Sequence, residues 1–145
     1  MARVSTYLNF PNNTEEVFNF YRTVFGTEFE GGIMRFGSIP PQEGMPPLAD
    51  ELKNLVMHVA LPITGGHYLM GTDAPEAMGF NLTKGNNMYI CLHPDTRTEA
   101  DRLFKALSDG GKVEMELKEQ FWGDYYGSWS DKYGVQWMIN TDAKQ

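Results

Sequence analysis

Three histidines are the side chains of this 145-residue chain best suited to proton transfer near neutral pH. His58 and His67 flank a Pro-Ile-Thr-Gly-Gly turn, and one residue of register decides whether they share a face of the predicted hairpin. His58 interrupts an apolar run, so it either has a hydrogen-bond partner or faces a cavity, where it could act as a general base. His93 ends a predicted strand. Two histidines from one hairpin rarely complete a metal site, so structural, hydrogen-bonded roles are the more usual interpretation.

The other candidates for chemistry are a single cysteine and two aspartates. Cys91 has no basic neighbour in the sequence that would lower its pKa, which favours a structural thiol over a nucleophile. Asp124 and Asp131 could hold a polar group of a substrate, although aspartates between aromatic residues more often fix turns through their own backbone. No glycine-rich loop leads from a strand into a helix with the spacing of a nucleotide site.

Composition excludes several classes of partner. A net charge of -7 argues against a nucleic-acid surface and against an anionic membrane, since both need clustered lysine and arginine. The longest uncharged run, residues 54–72, contains a proline and three glycines and so favours a hairpin over a membrane span. One cysteine permits no intrachain disulfide and no apolar signal-peptide run opens the chain, so we expect a cytoplasmic protein.

The elements that would position these residues follow one pattern twice. A strand at 5–10 precedes a helix that ends at Gly26, and a strand at 88–93 precedes a helix that ends at Gly110. Thr96 and Glu99 form a capping-box signature at the start of the second helix. An offset of 83 residues aligns the apolar stripes of the two helices. Further strand-like runs follow each helix, at 27–36, 55–63 and 67–72 in the first half and at 112–121, 125–130 and 135–141 in the second.

This repetition predicts an α+β fold built of two βαβββ modules, at about 1–75 and 84–142, within a single domain of residues 1–145. The alternative is a generic α+β domain in which the helix spacing matches by coincidence. Residues 38–53 hold four prolines and predict a long excursion between strands, either an idle surface loop or a lid. Residues 73–87 have the composition of a linker between modules.

The last part of the chain, residues 121–140, is unusually aromatic. It reads FWGDYYGSWSDKYGVQWMIN, with a predicted hairpin turn at 131–134 that uses the backbone freedom of Gly134. In the strand that follows, Val135, Trp137 and Ile139 share one face. Aromatic side chains bury a large area each, so this segment must either close a core or line a pocket.

Four stretches together resemble the PhnB-like branch of the vicinal oxygen chelate superfamily, which contains glyoxalases, bleomycin resistance proteins and dioxygenases. They are YLNF followed by EEVFNFYRTVFG, VMH at 56–58, LMGTD at 69–73, and the closing FWG and DKYGVQWMIN. The resemblance implies that the paired modules form a curved, cup-like mixed sheet, usually in a homodimer. In metal-dependent members, four strands each supply one ligand to a divalent cation. Some members carry a ubiquinone methyltransferase name, but nothing here resembles a methyl-donor site.

The ligand positions that the resemblance implies hold unsuitable residues. They are Thr6, Tyr68, Tyr89 and Met138, where metal-dependent members have His, Glu or Gln. Phenols, a hydroxyl and a thioether bind divalent metals poorly, so we predict neither metal nor any other cofactor. Alternation around those positions predicts a pocket for a small aromatic or amphipathic molecule, or else an ordinary filled interior. Its lining would be Thr6, Leu8, Tyr68, Met70, Tyr89, Cys91, Gln136, Met138 and Asn140, with Trp122 from the aromatic segment.

Three functions therefore compete at this stage. The first is a metal-free homodimer that binds a small molecule. The second is a divalent-metal-dependent lyase, isomerase or dioxygenase whose ligands have moved to other positions. The third is a dimeric scaffold with a vestigial cavity.

Overall fold

The computed structural model describes residues 1–40 and 42–145, and its elements follow one order twice along the chain. Pro41, part of the proline-rich excursion, lies outside the described residues. The chain divides into two compact units, Met1–Thr83 and Lys84–Gln145. The first unit contains β1 (Thr6–Phe10), α1 (Thr14–Phe25), β2 (Met34–Arg35), α2 (Asp50–Lys53), β3 (Val56–Pro62) and β4 (Tyr68–Asp73). The second contains β5 (Ile90–Leu92), α3 (Arg97–Ser108), β6 (Lys112–Glu119), β7 (Tyr125–Ser130) and β8 (Gln136–Thr141).

Each unit holds one four-stranded mixed sheet, and the two sheets have the same topology. The strand order is β1-β4-β3-β2 in the first and β5-β8-β7-β6 in the second. In both, the opening strand pairs parallel with the closing strand, and the other pairs are antiparallel. The predicted α+β fold of two βαβββ modules is confirmed.

Helix α1 forms because its apolar residues recur at helical spacing, and it ends where Gly26 adopts a left-handed conformation with φ of 66°. Val17, Phe18 and Tyr21 are fully buried on the side that packs against β3 and β4. Phe18 lies so close to Gly71 of β4 that a Cβ atom there would come 2.5 Å from the phenylalanine ring. The core of the first unit is therefore the interface between α1 and one face of its sheet.

Helix α3 covers the second sheet in the same way. Its first turn is capped by Thr96, whose Oγ1 accepts a hydrogen bond from the backbone N–H of Glu99 at 3.0 Å, as the capping-box pattern predicts. Leu103 and Leu107 are buried against the sheet. Trp129 and Trp137, directly paired on β7 and β8, are both fully buried and form the centre of this core.

The strand predicted at 27–36 needs correction, and the excursion predicted at 38–53, which does lie between two strands, has some structure of its own. The strand predicted at 27–36 is reduced to Met34–Arg35, because Gly31 and Gly32 adopt positive φ angles of 76° and 74° that interrupt a sheet ladder. The proline-rich excursion is not entirely irregular, since it contains the short helix α2 next to β3.

The number of residues that separates equivalent positions in the two units differs between the long helices and the opening strands. The two long helices begin at Thr14 and Arg97, which are 83 positions apart as predicted. In the sheets, Thr6 pairs with the second residue of β4, and Ile90 pairs with the second residue of β8. Thr6 therefore corresponds to Ile90, not to Tyr89, because Thr6 lies one residue farther from the start of α1 than Ile90 lies from the start of α3.

Candidate functional site

The two faces of the first sheet differ, and the predicted pocket residues of this unit are divided between them. Thr6 pairs with Leu69, a fully buried residue on the side of α1. Because residues paired on neighbouring strands share a face, Thr6 and the next alternate residue, Leu8, lie on the helix side. Tyr68 and Met70 lie on the opposite side. The alternation used to choose Thr6 and Leu8 was therefore wrong by one residue.

The face of the first sheet away from α1, called here the first open face, carries a tyrosine and histidine pair. Tyr7 Oη lies 3.1 Å from His58 Nδ1, and their rings are 5.8 Å apart. Burial raises the pKa of Tyr7, so the phenol remains protonated at neutral pH. His58, the predicted general base, thus has a partner at Nδ1 and keeps its Nε2 for another group. Sequence reasoning missed Tyr7 because of the same one-residue register.

The other predicted residues of this unit have local partners. His67 Nε2 lies 2.9 Å from Thr6 Oγ1 and does not join the His58 pair. The guanidinium of Arg3 stacks over the ring of Tyr68 at 4.4 Å. A hydrogen bond to Glu30 raises the pKa of Tyr68. The histidines at 58 and 67 therefore make separate contacts, which agrees with their structural interpretation.

The corresponding face of the second sheet, called the second open face, brings the predicted residues of that unit together. Cys91 pairs with Met138 on β5 and β8, while the adjacent Trp137 faces α3. Gln136, Met138 and Asn140 alternate along β8 on this face. Tyr126 pairs with Asn140, and Ser128 with Met138, so β7 adds an aromatic ring and a hydroxyl.

The polar atoms of the second open face are held by specific bonds. Tyr89 Oη donates to both carboxylate oxygens of Glu114, at 2.9 and 3.0 Å, and this bond raises the pKa of Tyr89. Gln136 Nε2 donates to the backbone carbonyl of Met88 at 2.7 Å. Partial burial raises the pKa of the Cys91 thiol, which keeps it protonated and makes it a poor nucleophile. No pattern in the sequence pointed to Glu114, because it lies on a strand interrupted by bulges.

A polar cleft of about 320 Å³, called the acceptor cleft, opens at one end of the second sheet. His93 Nδ1 donates to the backbone carbonyl of Asn140 at 2.8 Å, and Asn140 Nδ2 donates to Asp124 Oδ2 at 3.0 Å. Asn140 therefore belongs both to the second open face and to this cleft. The complete lining is His93, Pro94, Asp95, Asp124, Asn140, Thr141 and Asp142.

The aromatic segment has two separate roles. Trp122 is half exposed in the turn between β6 and β7, where its ring contacts Phe121 and Tyr126. Asp131 is buried and accepts hydrogen bonds from two backbone N–H groups of its turn and from Trp137 Nε1 at 2.9 Å. Asp131 thus fixes a turn, as its position predicted, whereas Asp124 lines the acceptor cleft.

Within residues 1–40 and 42–145, no group of three or more histidine, cysteine, aspartate or glutamate side chains is arranged to hold a metal ion. The same residues contain no helix that is both long and apolar enough to cross a membrane.

Comparison with known proteins decides the family. Residues 2–140 match the model of the family described as 3-demethylubiquinone-9 3-methyltransferase. The chain belongs to this family. It is similar to protein PA1353 from Pseudomonas aeruginosa, with 33% identity, a TM-score of 0.82 and coverage of 99% of this chain and 100% of that one.

Two further structures support the PhnB-like branch and the fold. A Bacillus cereus protein described as a putative 3-demethylubiquinone-9 3-methyltransferase, PhnB protein, is 26% identical, with a TM-score of 0.74 and coverage of 97% and 99%. A glyoxalase/bleomycin resistance protein/dioxygenase family enzyme from Burkholderia phytofirmans PsJN is 20% identical, with a TM-score of 0.60 and coverage of 94% and 96%. The latter likeness concerns the fold alone. The predicted PhnB-like membership and the glyoxalase/bleomycin resistance fold are confirmed.

Proposed function

We propose that this protein is a metal-free, homodimeric binding protein for a small aromatic or amphipathic molecule. The observation that carries the proposal is the composition of the second open face, where a thiol, a thioether and two phenol rings lie on the side of the sheet that α3 does not cover. These groups are Cys91, Met138, Tyr89 and Tyr126. Thioether and aromatic groups adapt to flat apolar ligands, and a few polar atoms at the edge orient such ligands.

The hydrogen bonds on this face support binding over catalysis. The pKa of Tyr89 is raised by Glu114 and the pKa of the Cys91 thiol is raised by burial, so neither group is activated as a nucleophile at neutral pH. The family's name describes methyl transfer, but the strand-to-helix connections do not have the composition of a cofactor-binding loop. The connections at 11–13 and 93–96, from strand to helix, contain no glycine.

The proposal of a homodimer is supported by exposed apolar residues on the first open face and by the prevalence of two-fold symmetry among homo-oligomers. Tyr7 and Met34 on this face are 48% and 50% exposed, although both are large and apolar. A second copy would cover such a surface through a two-fold interface, the commonest arrangement among homo-oligomers. Sedimentation at micromolar concentration should give twice the chain mass of 16.4 kDa, and a monomer would contradict the dimer.

Ligand binding can be tested through the nine methionines, each of which carries a methyl group visible by NMR. Protein labelled with ¹³C at these methyl groups should be titrated with indole, a flat molecule with a single N–H donor. We expect a saturable ring-current shift of the Met138 methyl resonance, because indole would stack on the second open face. Met45 lies outside both sheets and is exposed, so its methyl group is the internal control.

A matched pair of variants completes this test. Met138→Gln should weaken indole binding by about tenfold, since an amide loses apolar and sulfur contacts worth about 1.4 kcal/mol. Met45→Gln should leave the binding unchanged. An equal shift at both methyl groups, or no saturation, would contradict a site on this face.

A second measurement distinguishes the metal-dependent enzyme from the metal-free binding protein. The residue types at the implied ligand positions Tyr89 and Met138 favour the metal-free form. Dialysed protein should therefore show the same Tm with Zn²⁺, Ni²⁺ or Mn²⁺ as with a chelator. A bound metal at a thousandfold excess over its Kd would stabilise the fold by about 4 kcal/mol, so an increase of many degrees would favour the metalloenzyme.

A further inference from the structure

We propose that the acceptor cleft binds the primary ammonium group of a small organic cation. This inference deepens the proposed function, because Asn140 links the cleft to the second open face, and an amphipathic amine would occupy both.

The histidine and the asparagine each use their donors inside the protein. His93 Nδ1 must carry a proton, since its partner is the carbonyl oxygen of Asn140, and the neutral ring then presents Nε2 as an acceptor. The amide nitrogen of Asn140 donates to Asp124, which identifies the other atom of the amide, Oδ1, as an acceptor.

Thr141 offers no hydrogen-bond donor to a ligand. Its hydroxyl donates to the carbonyl oxygen of Pro94 at 2.7 Å, and its oxygen accepts from the N–H of Ala143 at 3.2 Å. The remaining side chains, Asp95 and Asp142, are exposed carboxylates. Among the described residues, neither carboxylate has a hydrogen-bond or ion-pair partner. Every polar side-chain atom that the cleft leaves available therefore accepts hydrogen bonds.

Two cationic side chains that follow cleft residues closely in the sequence are already engaged elsewhere. Arg97 binds Glu119 at 2.7 Å and the carbonyl oxygen of Ala143 at 2.7 Å. Lys144 Nζ donates to the carbonyl oxygen of Gly123 at 2.9 Å. No arginine or lysine contributes to the lining, so the three aspartates give the cleft a negative potential.

An ammonium group fits this arrangement better than a metal ion does. It supplies three N–H donors and a positive charge to a lining that lacks both. A volume of about 320 Å³ exceeds that of a single water or ion, for which about 30 Å³ suffices, and leaves room for an organic group. The described carboxylates and His93 do not form a group that could hold a metal.

The test compares probes that differ in one property at a time. Calorimetric titration with n-butylammonium chloride should show saturable binding. Tetramethylammonium keeps the charge but has no N–H donor, and n-butanol keeps the chain but has no charge. Because each of these probes lacks either the N–H donors or the charge of the ammonium group, both should bind at least about tenfold more weakly.

The double variant Asp95→Asn with Asp142→Asn tests the location. Both residues are exposed, so folding should be intact, which an unchanged Tm verifies. We expect n-butylammonium binding to weaken at least about tenfold. The matched control, Asp109→Asn with Glu116→Gln, removes the same two charges from exposed positions outside the cleft and should leave binding unchanged.

Each other outcome would overturn the proposal. These outcomes are undetectable binding of n-butylammonium, equal binding of tetramethylammonium, tighter binding of Ca²⁺, or equal loss in the two double variants. The indole-induced shift at Met138 is measured separately in the cleft variant. If that shift persists while n-butylammonium does not bind, only the cleft proposal fails. If the shift is absent from the unaltered protein, the proposed aromatic site fails as well.

Discussion

The two units of this protein share one strand order, yet they fix their backbones with different polar contacts. In the first unit, the carboxylate of Asp73 on the closing strand accepts the N–H of Thr14 at the start of α1 and the N–H of Val56 at the start of β3. In the second unit, Thr96 caps α3 from within its own segment. The hairpin before the closing strand also differs, with Gly65 and Gly66 in the first unit and Asp131 in the second.

An ion pair joins helix and sheet in both units, but the charges are exchanged. Arg35 of β2 binds Glu15 of α1 through two bonds of 2.9 Å, whereas Arg97 of α3 binds Glu119 of β6. The apolar pattern is therefore what the repeat retains, since it alone determines which faces are buried. Polar contacts can be exchanged between positions as long as buried backbone groups remain satisfied.

The largest difference between the units should lie in the closing hairpin. Asp131→Ala leaves the N–H groups of Tyr133 and Val135 and the indole of Trp137 without this acceptor. We expect the free energy of unfolding to fall by about 4 kcal/mol, since each unsatisfied buried donor costs about 1–3 kcal/mol. Denaturant unfolding monitored by tryptophan fluorescence measures this change.

The two buried tryptophans provide the control for this prediction. Trp137→Phe removes the bond to Asp131, whereas Trp129 Nε1 has no hydrogen-bond partner among the described residues. Trp129→Phe should therefore be less destabilising than Trp137→Phe. The reverse order would contradict a central role for Asp131.

These contacts also show what the sequence could and could not predict. The helices, the order of strands and helices along the chain, and the capping role of Thr96 follow from local periodicity and capping signals, which a single sequence displays directly. The residues of the first open face could not be predicted in this way, because Thr6 lies one residue farther from α1 than Ile90 lies from α3, and Tyr7 rather than Thr6 therefore faces away from the helix. Glu114 was not predicted, since its bond to Tyr89 depends on two strands meeting in space.

Removing the helix caps should change the free energy of unfolding less than removing Asp131 from the closing hairpin. Asp73→Ala should lower the free energy of unfolding by about 3 kcal/mol, because two buried backbone donors lose their acceptor. Thr96→Ala should cost only about 1 kcal/mol, the usual effect of losing an exposed cap. Urea unfolding of both variants gives the comparison, and equal losses would show that the long-range cap adds nothing beyond a local one.

The next smaller difference between the units should come from the packing of the helix against the sheet. Gly71→Ala places a methyl group against Phe18, and we expect a loss of about 2 kcal/mol from overpacking. In the second unit, Ile139 occupies the position on the closing strand that corresponds to Gly71. Ile139 is buried, so this position accommodates a large side chain. Ile139→Val should cost about 1 kcal/mol. Adding Phe18→Leu to Gly71→Ala should recover part of the loss, and purely additive losses would contradict the proposed clash.

The exchanged ion pairs should give the smallest effect, and this effect should depend on pH. Arg35 lowers the pKa of Glu15 through its hydrogen bonds, so the pair stabilises the fold above the pKa of an unfolded glutamate. This contribution is lost as the pH falls through the lower pKa of the folded state. Glu15→Gln should therefore cost about 0.5 kcal/mol at pH 7, since both partners are partly exposed, and almost nothing below that pKa.

Glu28→Gln, at the exposed Arg22 pair of 3.4 Å, is the control and should change stability at neither pH. If Glu119→Gln were more pH-sensitive than Glu15→Gln, the second unit would hold the stronger pair, contrary to the two-bond geometry of the first.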